Sequence, residues 1–95
     1  MADFKLKKRV DFTFALEGDE DTVYTIPSIK SLPFETVQAM SKMEKEEDLA
    51  VKFRMVRTIL YDLVPALEDK GLSDIELSEI INAYDIHQGK AYTGE

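Results

Sequence analysis

The chain has 95 residues, 44% of them apolar, which makes one small domain able to bury about 60–65% of its unfolded surface. It has no cysteine, which excludes a disulfide framework and a thiolate metal centre; no apolar run reaches the roughly 18 residues of a membrane span, and Met1-Ala2-Asp3-Phe4-Lys5 lacks the apolar stretch of a signal peptide. The net charge is −7, split into +3 over residues 1–9 and −10 over the remainder, and so acidic a body repels nucleic acid and anionic membranes.

Residues 1–9 form a basic arm carrying Lys5, Lys7, Lys8 and Arg9, read as solvated spacing. A β-hairpin is expected over 10–26. Val10, Phe12, Phe14 and Leu16 alternate with Asp11, Thr13 and Ala15, the period of a half-buried strand. Glu17-Gly18-Asp19-Glu20-Asp21 supplies turn chemistry, and Val23-Tyr24-Thr25-Ile26 returns as a second strand ended by Pro27. A lone hairpin is marginal in water, so Phe12, Phe14 and Leu16 must pack on helices.

Three helices follow, at about 32–44, 47–64 and 73–86. Ser31-Leu32-Pro33 opens the first with a capping serine and an early proline. Phe34, Val37, Met40 and Met43 suggest one apolar stripe along it. Glu44-Lys45-Glu46-Glu47-Asp48 is either a short loop or the acidic first turn of the second helix. That helix shows Leu49, Phe53, Val56, Leu60 and Leu63 at spacings of three and four, and Pro65 should end or kink it. Gly71 is a helix stop, and Ser73-Asp74-Ile75-Glu76 matches a capping box opening the third helix, with Leu77, Ile80, Ile81 and Tyr84 on its apolar face. Residues 87–95 show little apolar period and contain Gly89 and Gly94, so a flexible tail is expected there. The fold class is α+β: an N-terminal hairpin packed on a bundle of about three helices, in one domain over 10–86.

No cluster here points to catalysis. His87 is the one histidine; with no cysteine and no Gly-x-Ser-x-Gly turn beside it, it reads as a surface residue at a fraying helix end. Asp19, Glu20 and Asp21 are contiguous, unlike the alternating oxygens of a calcium loop, and read as a solvated hairpin tip. Leu72-Ser73-Asp74-Ile75 has the wrong order for the phosphopantetheine serine of an acyl carrier protein. Gly18 alone makes no phosphate loop. An enzyme, a metal and a cofactor are therefore not expected. Met40, Met43 and Met55 could line an adaptable groove or fill a core. Tyr84, Ile86 and Tyr92 could anchor a partner near the C-terminus, although Tyr84 also suits the core.

Thr25-Ile26-Pro27-Ser28-Ile29 with Ser31-Leu32-Pro33, the acidic helices, and Ile80-Ile81-Asn82-Ala83-Tyr84 followed by Gly89 and Gly94-Glu95 form a recognisable layout. In residues 10–95 the chain resembles the tail assembly chaperones of long-tailed bacteriophages. Many relatives carry tryptophan where this chain has Tyr84. The resemblance implies a non-enzymatic chaperone that keeps the long, apolar tape measure protein soluble until the tube polymerises. It implies action in the cytoplasm of the bacterial host and absence from the mature virion. The tail-tube protein is a further candidate partner, and self-association stays open; nucleic acid and membrane are not expected partners. Met40, Met43, Met55, Tyr84, Ile86 and Tyr92 are the positions assigned to partner contact. Two other classes remain open: a structural tail or connector protein of the virion, and a small acidic regulatory adaptor binding a host protein.

Overall fold

The computed structural model describes residues 2–93, and side chains through residue 89. Strand β1 (Phe12–Leu16) and strand β2 (Asp19–Ile26) form an antiparallel hairpin. Phe12 faces Ile26, Thr13 faces Thr25 and Phe14 faces Tyr24; an irregularity then brings Leu16 opposite Asp19. The turn is therefore only Glu17-Gly18, with Gly18 at φ 91°, a backbone setting that favours glycine. Asp19, Glu20 and Asp21 belong to β2 rather than to the tip, and Asp19 is half-buried. Val10 lies outside the ladder, so the hairpin starts two residues later than expected.

The alternation of β1 does what its period requires. Phe12, Phe14 and Leu16 turn inward and pack on the core, beside buried Tyr24 and Ile26. The rings of Phe14 and Tyr24 stack at 5.3 Å, and Phe12 meets Tyr84 edge-on at 5.9 Å.

Pro27 ends β2. Ser28 is buried: its N–H donates to Asp11 Oδ1 (2.8 Å), and its hydroxyl accepts from Lys30 N (3.3 Å). It thereby caps a short 3-10 turn, Ile29–Ser31. Ser31 is consumed in that turn, so it does not cap the first helix as expected. Helix α1 (Phe34–Lys45) instead starts from Pro33, whose carbonyl accepts from Thr36 N and Val37 N, both at 3.1 Å.

The expected four-residue stripe on α1 is only half realised. Met40 and Met43 are buried, whereas Phe34 is 71% exposed and Val37 sits at the edge. Each three-residue step falls about 60° short of a full turn, so nine residues rotate the stripe to the opposite face.

Residues 46–48 are the short loop, and Asp48 caps helix α2 (Leu49–Leu63), its Oδ1 accepting from Ala50 N (3.0 Å) and Val51 N (3.3 Å). Val56, Ile59 and Leu60 are buried, while Leu49 in the first turn is exposed. Pro65 ends α2 and opens a 3-10 helix, Pro65–Lys70, which buries Leu67 and closes at Gly71 (φ 65°). The capping box is present: Glu76 Oε1 accepts from Ser73 N (2.9 Å) and Ser73 Oγ accepts from Glu76 N (3.1 Å).

Helix α3 (Asp74–Thr93) is longer than expected and takes in most of the proposed tail. Leu77, Ile81, Tyr84 and Gln88 are all buried, at spacings of four, three and four. Gly89 did not stop the helix, because Gln88 behind it is tied into the core. Residues 94 and 95 of that tail lie outside the described residues. Helix α2 packs against both α1 and α3, and β1 rests on α3. The architecture is α+β, a hairpin followed by three α-helices among the described residues.

Candidate partner-binding surface

On α1 and α3 the core stripe is followed at once by a carboxylate. Buried Met43 precedes Glu44, and buried Tyr84 precedes Asp85. One residue is about 100° of helix, so both carboxylates stand beside the core stripe, Asp85 half-buried and Glu44 exposed. Two clefts share this pair as a wall.

The first cleft, of about 450 Å³, has Ile29 and Val37 as its apolar lining and is lined also by Lys30, Gln88 and Gly89. The second, of about 230 Å³, is lined by Leu49, Phe53, Val56 and Ile81, together with Lys52. Half-buried Asp85 has its carboxyl pushed up to about 6, first by desolvation and then by the negative charge of Glu44. A positive group entering from a partner would favour the charged carboxylate and so oppose both effects.

Gln88 holds the first cleft together. Its Oε1 accepts from Ile29 N (2.9 Å), and its Nε2 donates to Val10 O (2.8 Å). One amide therefore joins the N-terminal segment, the joint after β2 and helix α3. Tyr84 adds a parallel tie, its hydroxyl donating to Pro27 O (2.8 Å). Its phenol is held above its ordinary pKa by burial, then by the charges of Asp85 and Asp11. His87 is not a fraying surface residue. It is half-buried, its ring lies 5.3 Å from that of Phe12, and its Nδ1 is 3.0 Å from Gln88 Nε2.

The residues assigned to partner contact fall into three groups. Met40, Met43 and Tyr84 are buried core and cannot touch a partner on the folded surface; they shape it from beneath. Met55 is half-buried against the same core. Ile86 is 64% exposed and remains available. The side chain of Tyr92 lies outside the described residues.

Sequence reasoning missed Glu44, Asp85 and Gln88. Gln88 carried a signal: it continues the 77–81–84 periodicity by four residues. Glu44 and Asp85 carried none, because they lie 41 residues apart and are brought together only when α1 and α3 both pack on α2.

Among the described residues no group of His, Cys, Asp or Glu side chains is arranged to hold a metal ion, and no helix is long and apolar enough to cross a membrane. Comparison with family models, with curated proteins and with solved structures gives no match.

Proposed function

We propose that this protein is a non-enzymatic binding protein that covers apolar, helix-forming segments of a client, and specifically a tail assembly chaperone for a phage tape measure protein. The observation that carries the reading is the pair of clefts along α1, α2 and α3, apolar in lining and divided by the Glu44–Asp85 wall. Such a surface suits an amphipathic helix laid apolar side down, with a lysine or arginine set against the carboxylates. Val37 and Leu49 at the cleft margins are partly free to add contact area, as is Ile86 on α3.

The resemblance to tail assembly chaperones supplies the client. A long, apolar tape measure aggregates unless covered, and the acidic body of this chain would keep the covered complex dispersed. On this reading the protein acts in the bacterial cytoplasm, leaves as the tail-tube protein polymerises, and is missing from the finished particle.

The test is co-expression with the tape measure protein of the same phage. The reading expects that protein to move from the pellet to the soluble fraction and to co-purify at high salt. An insoluble tape measure with no co-purification would refute it. Recovery of the chain in purified particles would favour a structural tail component, and capture of a basic host protein only at low salt would favour the regulatory adaptor.

A further inference from the structure

The N-terminal arm is a ligand-like segment standing beside a cleft that fits it. Residues 2–9 run exposed, with Phe4 76% and Leu6 73% accessible. In an extended chain, alternation sends Phe4 and Leu6 to one side and Lys5 and Lys7 to the other. An apolar edge backed by positive charge matches an apolar cleft walled by Glu44 and Asp85.

The arm is fastened at two points, both on residues that line the first cleft. Lys30 Nζ donates to Lys7 O (3.0 Å), and Gln88 Nε2 donates to Val10 O (2.8 Å). The arm thus leaves from the rim of its own cleft. Phe4 is three residues beyond the last fastening, a reach of about 10 Å, and its ring is out in solvent. A chain that passes its own cleft and still presents two large apolar side chains is placed to fill a neighbour's.

The geometry points to self-association by reciprocal arm exchange: Phe4 and Leu6 of one copy seat in the clefts of a second copy, and the long Lys5 side chain, which starts on the opposite side, folds back over the rim to Glu44 and Asp85. The occupant is a second copy of this chain because the charges of the arm (+3) and the rest of the chain (−10) are opposite within one sequence. Exchange in both directions closes a two-fold dimer, so association stops there. The Lys7 and Val10 fastenings stay in place, so only residues 2–6 move. The inference does not rest on the client reading, and dimerisation is measured with no client present.

Sedimentation velocity across a concentration series tests it. Wild type should shift from monomer to dimer as concentration rises, and less so in high salt. Phe4→Ser should weaken association by about tenfold or more, since a phenyl ring would no longer be buried. Phe4→Ser with Leu6→Ser should give monomer throughout. Lys5→Glu and Glu44→Lys should each weaken the dimer, and the two combined should restore it. All four positions are exposed, and a thermal melt checks that each variant folds. A wild type that stays monomeric overturns the proposal, as does a dimer indifferent to the arm variants. A monomer whose arm instead binds anionic phospholipid vesicles also overturns it, in favour of a lipid surface.

Discussion

Replacing Gln88 by leucine isolates the tie that holds three distant segments together. The substitution is close to volume-conserving, so it removes hydrogen bonds without opening a large cavity. The two bonds to backbone are lost, from Ile29 N (2.9 Å) and to Val10 O (2.8 Å), together with the 3.0 Å contact between Nε2 and His87 Nδ1. Each contributes about 1 kcal/mol net, and a buried donor left unpaired costs a further ~1–3 kcal/mol. Val10 is partly exposed and its carbonyl can turn to water, whereas Ile29 is half-buried and its N–H is the group stranded. The expected loss is therefore about 3–5 kcal/mol. In a domain of this size that lowers the midpoint of thermal unfolding by roughly 15–25 °C. Circular dichroism melts and urea titration measure it, and hydrogen exchange should show the Ile29 amide losing protection. Gln88→Glu should be intermediate, keeping the acceptor for Ile29 while setting a carboxylate against the Val10 carbonyl. A Gln88→Leu protein within about 0.5 kcal/mol of wild type, with Ile29 still protected, would mean that the end of α3 is not docked and that the reasoning is wrong.

Asp85 predicts a pH dependence of known sign. Its folded carboxyl is raised from an ordinary value of 3.8 to about 6, so between those limits the folded state binds more protons and stability falls as pH rises. Asp85→Asn should stabilise the protein by about 1 kcal/mol at neutral pH, after discounting for the solvent that reaches this group, and the gain should vanish in acid. The capping box predicts the reverse trend. Glu76 is held below its ordinary value by bonds from the Ser73 backbone and hydroxyl, so its contribution is complete at neutral pH and lost as pH falls through the lowered value. Ser73→Ala should cost about 1 kcal/mol at neutral pH, and less in acid, by urea titration. Two tyrosine-to-phenylalanine changes should differ in sign. Tyr84→Phe loses the bond to Pro27 O and should cost about 1–2 kcal/mol, whereas the buried Tyr24 hydroxyl has no partner among the described residues, so Tyr24→Phe should be neutral or stabilising.

The parts of this fold that were legible are those decided within a few residues. Pro27 and Pro65 stop their elements because a missing N–H acts at its own position. Ser73 and Glu76 reach each other across one turn. The alternation of Phe12, Phe14 and Leu16 chooses a face whatever lies beneath it. The reading of α1 failed for an equally local reason. Four apolar residues spaced by three look like a stripe, but the lag accumulates until Phe34 and Met43 stand on opposite sides. Half of that stripe was always going to be solvent-facing, and the useful observation was which half the neighbouring helices would take.

The end of α3 shows a different limit. His87, Gln88 and Gly89 look like the close of a helix because polar and flexible residues are usually found there. Here the polar side chain completes the apolar stripe. Gln88 follows Leu77, Ile81 and Tyr84 onto one face, and it can be buried because Ile29 N and Val10 O, both remote in sequence, satisfy its amide. A buried amide is favourable only where its partners are already waiting, and no local pattern reveals whether they are. The same dependence hid the candidate surface. Met40, Met43 and Tyr84 attracted notice as adaptable or aromatic groups, and their chemistry took them into the core. The carboxylates next to two of them, unremarkable in an acidic chain, became the wall between two clefts once the helices met. In this protein the groups that shape the surface are the residues one step off the core stripe, and their significance arises only with the packing that brings them together.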